Sequence, residues 1–274
     1  TTANIGSRIA LFHTLFNTIN TMIWLPFIDQ VARIVEWMVK PNAKESDNEY
    51  NLYFASAVFK DNPTAYMIRA EAEVIKMADL VVKMFGYIRA FFEPSKKKTE
   101  KALEIMEKLE GRENYADQMQ EQLSNYLVKI SGLAVSTKID NNIRQMLGII
   151  DDIENITDQI FELGLYINRS IQNKIQIAET DIEKLLSYID MVDQFINFVH
   201  ENLNKPLQPE QLEKAAQMED AIDSTRIKLR KLARVRLEKG ANVKAELLYM
   251  EIVRKLEQIG DNLFRISKAL AETL

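Results

Sequence analysis

The chain has 274 residues, of which 47% are hydrophobic and 27% are charged, and its formal net charge is −5. Acidic and basic residues are interspersed, which argues against nucleic acid as a partner. The absence of Cys excludes disulfides and thiolate metal sites. Because Gly and Pro are few and Leu, Ile, Glu, Lys, Gln and Ala are abundant, the composition predicts an all-α protein with a full hydrophobic core.

The first forty residues differ from the rest of the chain. Residues 9–28 contain no Asp, Glu, Lys or Arg, and twenty helical residues would span about 30 Å, the thickness of a bilayer core. Six side chains nevertheless make this stretch polar: His13, Thr14, Asn17, Thr18, Asn20 and Thr21. Two interpretations remain, a transmembrane helix packed against other helices or a buried or interfacial helix of a soluble protein. The initial Thr1, in place of Met, indicates a piece of a longer protein.

The next segment is less regular. Residues 32–40 have an amphipathic helical pattern with Trp37, residues 41–49 are polar and predict a linker, and residues 51–59 are short and apolar. Asn62-Pro63-Thr64 then has the composition of a helix start, with Pro at the first helical position.

Six long helices are predicted after this point. Pro94, Pro206 and Gly240 mark interruptions in their usual places, just after a helix. The predicted ranges are 63–92, 96–131, 136–173, 178–204, 209–239 and 242–273. Apolar residues recur at the three-and-four spacing of a buried helix face, for example Ile139, Ile143, Met146, Ile150, Ile153, Ile160 and Leu163 in the third helix and Ile252, Leu256, Ile259, Leu263, Ile266 and Leu270 in the sixth.

This order of helices predicts two tandem antiparallel three-helix bundles. The expected organisation is an N-terminal hydrophobic segment at 1–40, a linker at 41–61 and a helical domain at 62–274, with one bundle at 62–174 and the other at 178–274.

Four Glu-x-x-x-Asp pairs carry the strongest functional signal. They are Glu113/Asp117, Glu154/Asp158, Glu219/Asp223 and Glu257/Asp261. Residues four apart share one helix face, so each pair places two carboxylates side by side, and like charges at that spacing cost an isolated helix about 0.2–0.5 kcal/mol. Each pair lies in a different predicted helix.

The positions of the pairs are symmetric. Glu113/Asp117 and Glu154/Asp158 are nearly equidistant from a turn near Val135, and the other two pairs are equidistant from Gly240. In a helical hairpin, equal distance from the turn means equal height. Offsets of 106 residues between Glu113 and Glu219 and of 103 residues between Glu154 and Glu257 indicate an internal duplication.

Four carboxylates in one seam repel one another unless a cation or protons neutralise them. Oxygen ligands suit Mg²⁺, Ca²⁺, Mn²⁺ or iron. Neither His13 nor His200 follows a Glu by three residues, which disfavours a ferritin-like di-iron site, and a zinc site of His and Cys ligands is also disfavoured. The alternative is that the acids are solvated charges on helix surfaces. No nucleophile–base pair or phosphate-binding loop is visible, so we expect no enzyme.

The tandem three-helix pattern with all four acidic motifs resembles the PhoU family of regulators of bacterial phosphate uptake, over about residues 62–274. The resemblance implies multinuclear metal clusters, with Fe, Mn, Mg or Zn as the candidate metals. One site would comprise Glu113, Asp117, Glu154 and Asp158, and the other Glu219, Asp223, Glu257 and Asp261. Glu73 and Asp190 are the candidate third ligands.

Thr2-Ala3-Asn4-Ile5-Gly6 and His13-Thr14-Leu15-Phe16-Asn17 resemble the last membrane segments of bacterial NptA-like sodium/phosphate cotransporters, which commonly carry a PhoU-like domain at the C-terminus. This resemblance implies a transmembrane helix at 9–28, a place in the inner membrane with residues 62–274 cytoplasmic, and partner helices upstream in the same protein. The full-length protein would handle sodium and phosphate, and the helical domain would regulate uptake.

Two other functions remain open. One is a metal-free helical scaffold or interaction module that docks a partner protein. The other is a signalling coiled coil, which Pro94, Pro206 and Gly240 disfavour because they divide the chain into bundle-length helices. Assembly into a homo-oligomer also remains open.

Overall fold

The structure is a computed structural model that describes residues 2–24, 49–52, 63–93, 95–132, 135–175 and 177–272. The chain divides into two compact units, Thr1–Asp47 and Asn48–Leu274. The predicted amphipathic helix at 32–40, nearly all of the predicted linker at 41–49 and most of the apolar stretch at 51–59 lie outside the described residues.

The first unit contains helix α1, Thr2–Trp24. No helix in the part of the chain that the structure describes is both long and apolar enough to cross a membrane. The predicted transmembrane helix at 9–28 is therefore wrong, and so is the inner-membrane localisation that depended on it. The physical reason is that a run without charges is not the same as an apolar run. Thr14 and Thr18 donate hydrogen bonds to the carbonyls of Ala10 and Thr14, and Asn17 contacts His13 at 3.1 Å.

The described part of the second unit contains six long helices, and each matches a predicted helix to within a few residues. They are α2 (Pro63–Ala90), α3 (Lys98–Ser131), α4 (Thr137–Gln172), α5 (Glu179–Asn202), α6 (Pro209–Glu238) and α7 (Val243–Ala271). The all-α prediction is confirmed for the residues described.

Local sequence explains several helix ends. The Ser136 side chain accepts a hydrogen bond from the Ile139 amide at the start of α4, and the Asn242 side chain does the same for two amides at the start of α7. Pro209 occupies the first turn of α6, where its missing N–H costs nothing. Gly240 has a φ of +85°, which closes the α6–α7 turn in a conformation that other residues rarely adopt.

The helices pack in a repeated pattern. Helices α2, α3 and α4 all contact one another and form one set, and α5, α6 and α7 form a second set in the same way. Helix α4 packs on α7, and α2 packs on α5, and these two contacts join the sets. The predicted apolar stripes form the core: all the named members in α4 and α7 are buried except Ile139, which is half-buried at the edge.

Tyr50 lies in the segment predicted to be a linker, yet it is buried. Its amide donates to Oε1 of Gln118 at 3.0 Å, and its hydroxyl donates to Oε2 of Glu73 at 3.0 Å. The amide of Leu52 donates to Oε1 of Gln122 at 2.8 Å. Side chains of α3 therefore satisfy backbone groups of this short segment and a side chain of α2 accepts from its tyrosine, which a composition-based linker prediction could not foresee.

Charged pairs cross the α4–α7 contact. Asp152 of α4 pairs with Arg265 of α7, and Glu162 of α4 pairs with Lys255 of α7. The 103-residue offset relates Asp152 to Lys255 and Glu162 to Arg265, so equivalent positions of the two repeats carry opposite charges. Helix α4 supplies both acids and α7 both bases, so this arrangement favours the α4–α7 pairing over the pairing of either helix with its own copy.

Replacement of Arg265 by Ala should lower the free energy of unfolding by about 1–2 kcal/mol at pH 8, because buried Asp152 loses its charged partner. Burial already raises the pKa of Asp152, and Arg265 opposes that rise. Without Arg265 the pKa rises further, so the folded state binds the proton more tightly and the deficit shrinks as the pH falls. Urea denaturation at several pH values measures the difference in free energy of unfolding between the two proteins. The Asp152→Asn/Arg265→Ala protein should recover stability at pH 8, and a deficit independent of pH would contradict the explanation.

Candidate functional site

The first acidic cluster forms where α3 and α4 pack together. Carboxylate oxygens of Glu113, Asp117 and Asp158 lie within 4.8 Å of one another. Glu113 and Asp158 are half-buried, whereas Asp117 is exposed and opens the cluster to solvent. Three of the four predicted residues thus meet in one group. Asp117 follows buried Ala116 and Asp158 follows buried Thr157, so these two carboxylates lie beside the packed seam between the helices.

Close helix approach supports this geometry. A Cβ at Gly164 of α4 would come within 2.6 Å of Leu109 Cδ1 and 3.2 Å of Met106 Sδ, both of α3. Glycine at this position leaves room for these α3 side chains directly against the backbone of α4. This close contact lies six residues beyond Asp158, in the same α3–α4 seam that carries the carboxylates.

Glu154, the fourth predicted residue, is not one of these three ligands, but its carboxylate is close enough to be repelled by those of Asp158 and Asp117. Burial, followed by repulsion from Asp158 and Asp117, raises the pKa of Glu154 to about 7. Burial and the neighbouring acids also raise the pKa of Glu113 and of Asp158, although Lys255 opposes the rise at Asp158. Raised pKa values across one group mean that its negative charge lacks sufficient compensation, which is the electrostatic setting in which a cation binds favourably.

The second cluster lies between α6 and α7 and has a different character. Arg226 of α6 donates to Oδ1 of Asp223, at 3.0 Å from Nε and 2.5 Å from Nη2. The same Nε lies 3.4 Å from Oε1 of Glu257. The guanidinium therefore bridges one carboxylate from each helix. Glu219, Glu257 and Asp261 also have raised pKa values because of burial, but cations reduce each of these rises.

Tyr188 of α5 adds a polar group beside the second cluster. Its side chain is fully buried, and its hydroxyl has no hydrogen-bond partner among the residues described. Burial, and then the charge of Glu257, raise the pKa of this phenol. The phenol therefore stays protonated close to the acids.

Sequence reasoning missed Arg226, Tyr188 and Lys255. A signal for Arg226 was present, because it follows Asp223 by three residues and so shares its helix face. The two guessed third ligands have other partners: Glu73 bonds to Tyr50 and to Lys76 at 2.8 Å, and Asp190 pairs with Arg89 across α2 and α5.

Comparison with known proteins bears on the fold around these clusters. Residues 74–167 match the PhoU domain. The match covers 94 of the 274 residues and includes the whole of the first acidic cluster. No curated protein matches its sequence.

Two solved structures extend the likeness beyond the matched domain. The phosphate transport system regulatory protein PhoU from Streptococcus pneumoniae is 17% identical, with a TM-score of 0.63 over 76% of this chain and 95% of that one. PhoU from Pseudomonas aeruginosa is 16% identical, with a TM-score of 0.64 over 76% of this chain and 97% of that one. At these identities the likeness establishes a PhoU-like fold. It gives no support to the prediction that residues 1–40 end a sodium/phosphate cotransporter.

Proposed function

We propose that this PhoU-like chain regulates phosphate transport, and that the carboxylates of the first cluster bind a metal ion whose occupancy stabilises one arrangement of the helices. The observation that carries the proposal is the group of three oxygens from Glu113, Asp117 and Asp158, within 4.8 Å of one another. The match to the PhoU domain and the likeness in fold to two PhoU structures, one of them the phosphate transport system regulatory protein of Streptococcus pneumoniae, support the regulatory part.

The donor set narrows the kind of metal. Carboxylate oxygens without imidazole or thiolate favour hard or borderline ions such as Mg²⁺, Mn²⁺ and iron, and favour Zn²⁺ less. The ligands come from α3 and α4, so a bound ion would hold these helices together at the height of Asp117 and Asp158. Glu154 lies near enough to be ionised by a bound cation, because a positive charge lowers the pKa that its neighbours raise.

Metal binding should be measurable as stabilisation of the folded chain. A ligand at 100 times its dissociation constant adds about 2.7 kcal/mol to the free energy of unfolding. We therefore expect Mn²⁺, added to chelator-treated protein, to raise the melting temperature by several degrees and in a concentration-dependent way. The Asp117→Asn/Asp158→Asn protein should lose that response while keeping its helical content.

The matched control is the Glu104→Gln/Glu121→Gln protein, which removes the same charge from exposed positions of α3 and should respond to Mn²⁺ as the unaltered chain does. Elemental analysis of protein purified without chelator independently measures which metals are bound and in what amount. If neither the unaltered chain nor the amide variant binds Mn²⁺, Mg²⁺, iron or zinc while both are folded, the metal part is wrong, and the metal-free scaffold becomes the better interpretation.

The regulatory part has its own test in cells that depend on this protein. Deletion of residues 62–274 should leave phosphate uptake present but no longer responsive to external phosphate. The Asp117→Asn/Asp158→Asn protein should resemble the deletion if metal occupancy sets the regulatory state, since a ligand shifts an equilibrium only when it binds two states unequally. Unchanged phosphate dependence after the deletion would contradict regulation.

A further inference from the structure

The two acidic clusters occupy equivalent places in the repeats, but their surroundings differ in charge. Four cations lower carboxylate pKa values at the second cluster: Arg226, Arg230, Arg265 and Lys268. The repeat offsets place Gln120, Ser124, Glu162 and Leu165 at the corresponding positions around the first cluster. All four cations are thus specific to the second repeat. Lys255, across the α4–α7 contact, is the cation that acts on Asp158 of the first cluster.

Arg226 is the cation in direct contact. Its guanidinium reaches Asp223 on its own helix and Glu257 on α7, joining the two helices whose carboxylates would otherwise share a metal. Its side chain is 24% exposed, less than that of Asp223 at 39%, so it lies within the seam. Gln120, its counterpart, instead donates to Oδ1 of Asp151 at 3.1 Å and carries no charge.

We infer that Arg226 serves the second cluster as a resident counter-ion in place of a metal, so that this chain has one metal-responsive cluster where its repeat symmetry suggests two. A guanidinium presents a rigid fork of donors and stays charged at all relevant pH values, so it compensates the carboxylates of the seam at every pH at which they are ionised. A divalent ion would have to displace it, breaking the contacts to Asp223 and Glu257. This inference rests on the proposed function and adds that only the first cluster responds to metal, because Arg226 is present in the second cluster alone.

A background without the first cluster tests this directly. In the Asp117→Asn/Asp158→Asn protein, Mn²⁺ should produce no shift in melting temperature, because Arg226 occupies the remaining cluster. Addition of Arg226→Gln to that background should create a Mn²⁺-dependent rise of several degrees, since the side chain then matches Gln120, and Asp223 and Glu257 lose the counter-ion that they share. Arg226→Lys in the same background keeps the charge and should give a much smaller response.

The outcomes separate this inference from the proposed function. A Mn²⁺ response of the Asp117→Asn/Asp158→Asn protein would overturn the inference, because the second cluster would then take metal with Arg226 in place; this arm does not depend on the folding of any Arg226 variant. A folded triple variant that ignores Mn²⁺ would overturn it too. Failure of the unaltered chain to respond would instead count against the proposed function alone, while a triple variant that gained a response would still support the role of Arg226.

Discussion

Replacement of Arg236 by Ala should lower the free energy of unfolding by about 3 kcal/mol, the largest effect that we expect from a single substitution in this chain. Arg236 of α6 donates to both oxygens of Glu246 of α7, at 2.7 and 2.8 Å, and to Asp181 of α5 at 3.1 Å. The Asp181 and Glu246 side chains are only 7% and 9% exposed. One guanidinium thus joins all three helices of the second repeat.

The size of the effect follows from what remains after the substitution. Removal of one partner from a buried ion pair costs about 3–5 kcal/mol, because the other charge stays buried without compensation. We expect the lower end, since Lys184 still pairs with Asp181 at 2.9 Å. The Arg236 guanidinium also lies 5.0 Å from the centre of the Tyr249 ring, a contact that the Ala variant loses too.

Urea denaturation at pH 7 measures the loss, and two variants check its cause. Arg236→Lys should lose about half as much, because an ammonium cannot donate to both oxygens of Glu246 in the planar arrangement of a guanidinium. Arg144→Ala removes an exposed arginine that pairs with Asp140 one turn away, and it should cost less than about 0.5 kcal/mol. A loss for Arg236→Ala no larger than for Arg144→Ala would contradict the structural role.

The sequence was sufficient for features with a local cause. Helix ends were predicted from Pro206 and Gly240, each of which interrupts a helix within a few residues of its own position. The buried stripes followed from helical periodicity. The height of the carboxylates in the first cluster followed from their distance to the turn, because hairpin geometry converts sequence spacing into position.

Contacts that depend on how two helices pack against each other were not predicted. The contact of Arg226 with Glu257 depends on how α6 and α7 are rotated against each other, and the Asp152–Arg265 pair depends on the register of α4 against α7. The backbone of Tyr50 forms hydrogen bonds with Gln118 and Gln122, about seventy positions away in the chain. Periodicity within one helix contains no information about these angles and distances. The transmembrane prediction failed for a different reason. It relied on the resemblance of residues 2–6 and 13–17 to cotransporter segments, and it gave too little weight to the polar side chains that keep the described helix from being apolar enough to cross a membrane.

Glu154→Gln should raise the free energy of unfolding of the metal-free chain by about 2 kcal/mol at pH 8.5. The pKa of Glu154 is raised from 4.5 to about 7 by burial and by the neighbouring acids Asp158 and Asp117. At about 1.36 kcal/mol per pKa unit, an ionised Glu154 costs the folded state about 3 kcal/mol. Its half-buried position lets solvent screen part of that repulsion, which brings the expected gain from a neutral amide to about 2 kcal/mol.

The stability gained by Glu154→Gln should be largest at high pH and should disappear as the pH falls. Because the pKa is higher in the folded than in the unfolded state, the folded chain binds the proton more tightly and becomes more stable as the pH falls from about 7 to about 4.5. The variant lacks this group, so the difference between the two proteins should be full above pH 7 and nearly absent at pH 4.5. Urea denaturation in the presence of chelator measures it. Glu121→Gln, at an exposed position of α3, is the matched control and should show no such dependence.

The same substitution should also weaken the stabilisation of the chain by Mn²⁺. Repulsion among Glu154, Asp158 and Asp117 destabilises the empty cluster but favours a bound cation, so a neutral amide should reduce the Mn²⁺-induced rise in melting temperature. A protein that keeps a destabilising group for the sake of binding shows this exchange of stability for function. If Glu154→Gln stabilised the chain equally with and without Mn²⁺ and at every pH, the gain would come from side-chain packing, and the carboxylates would have no shared role.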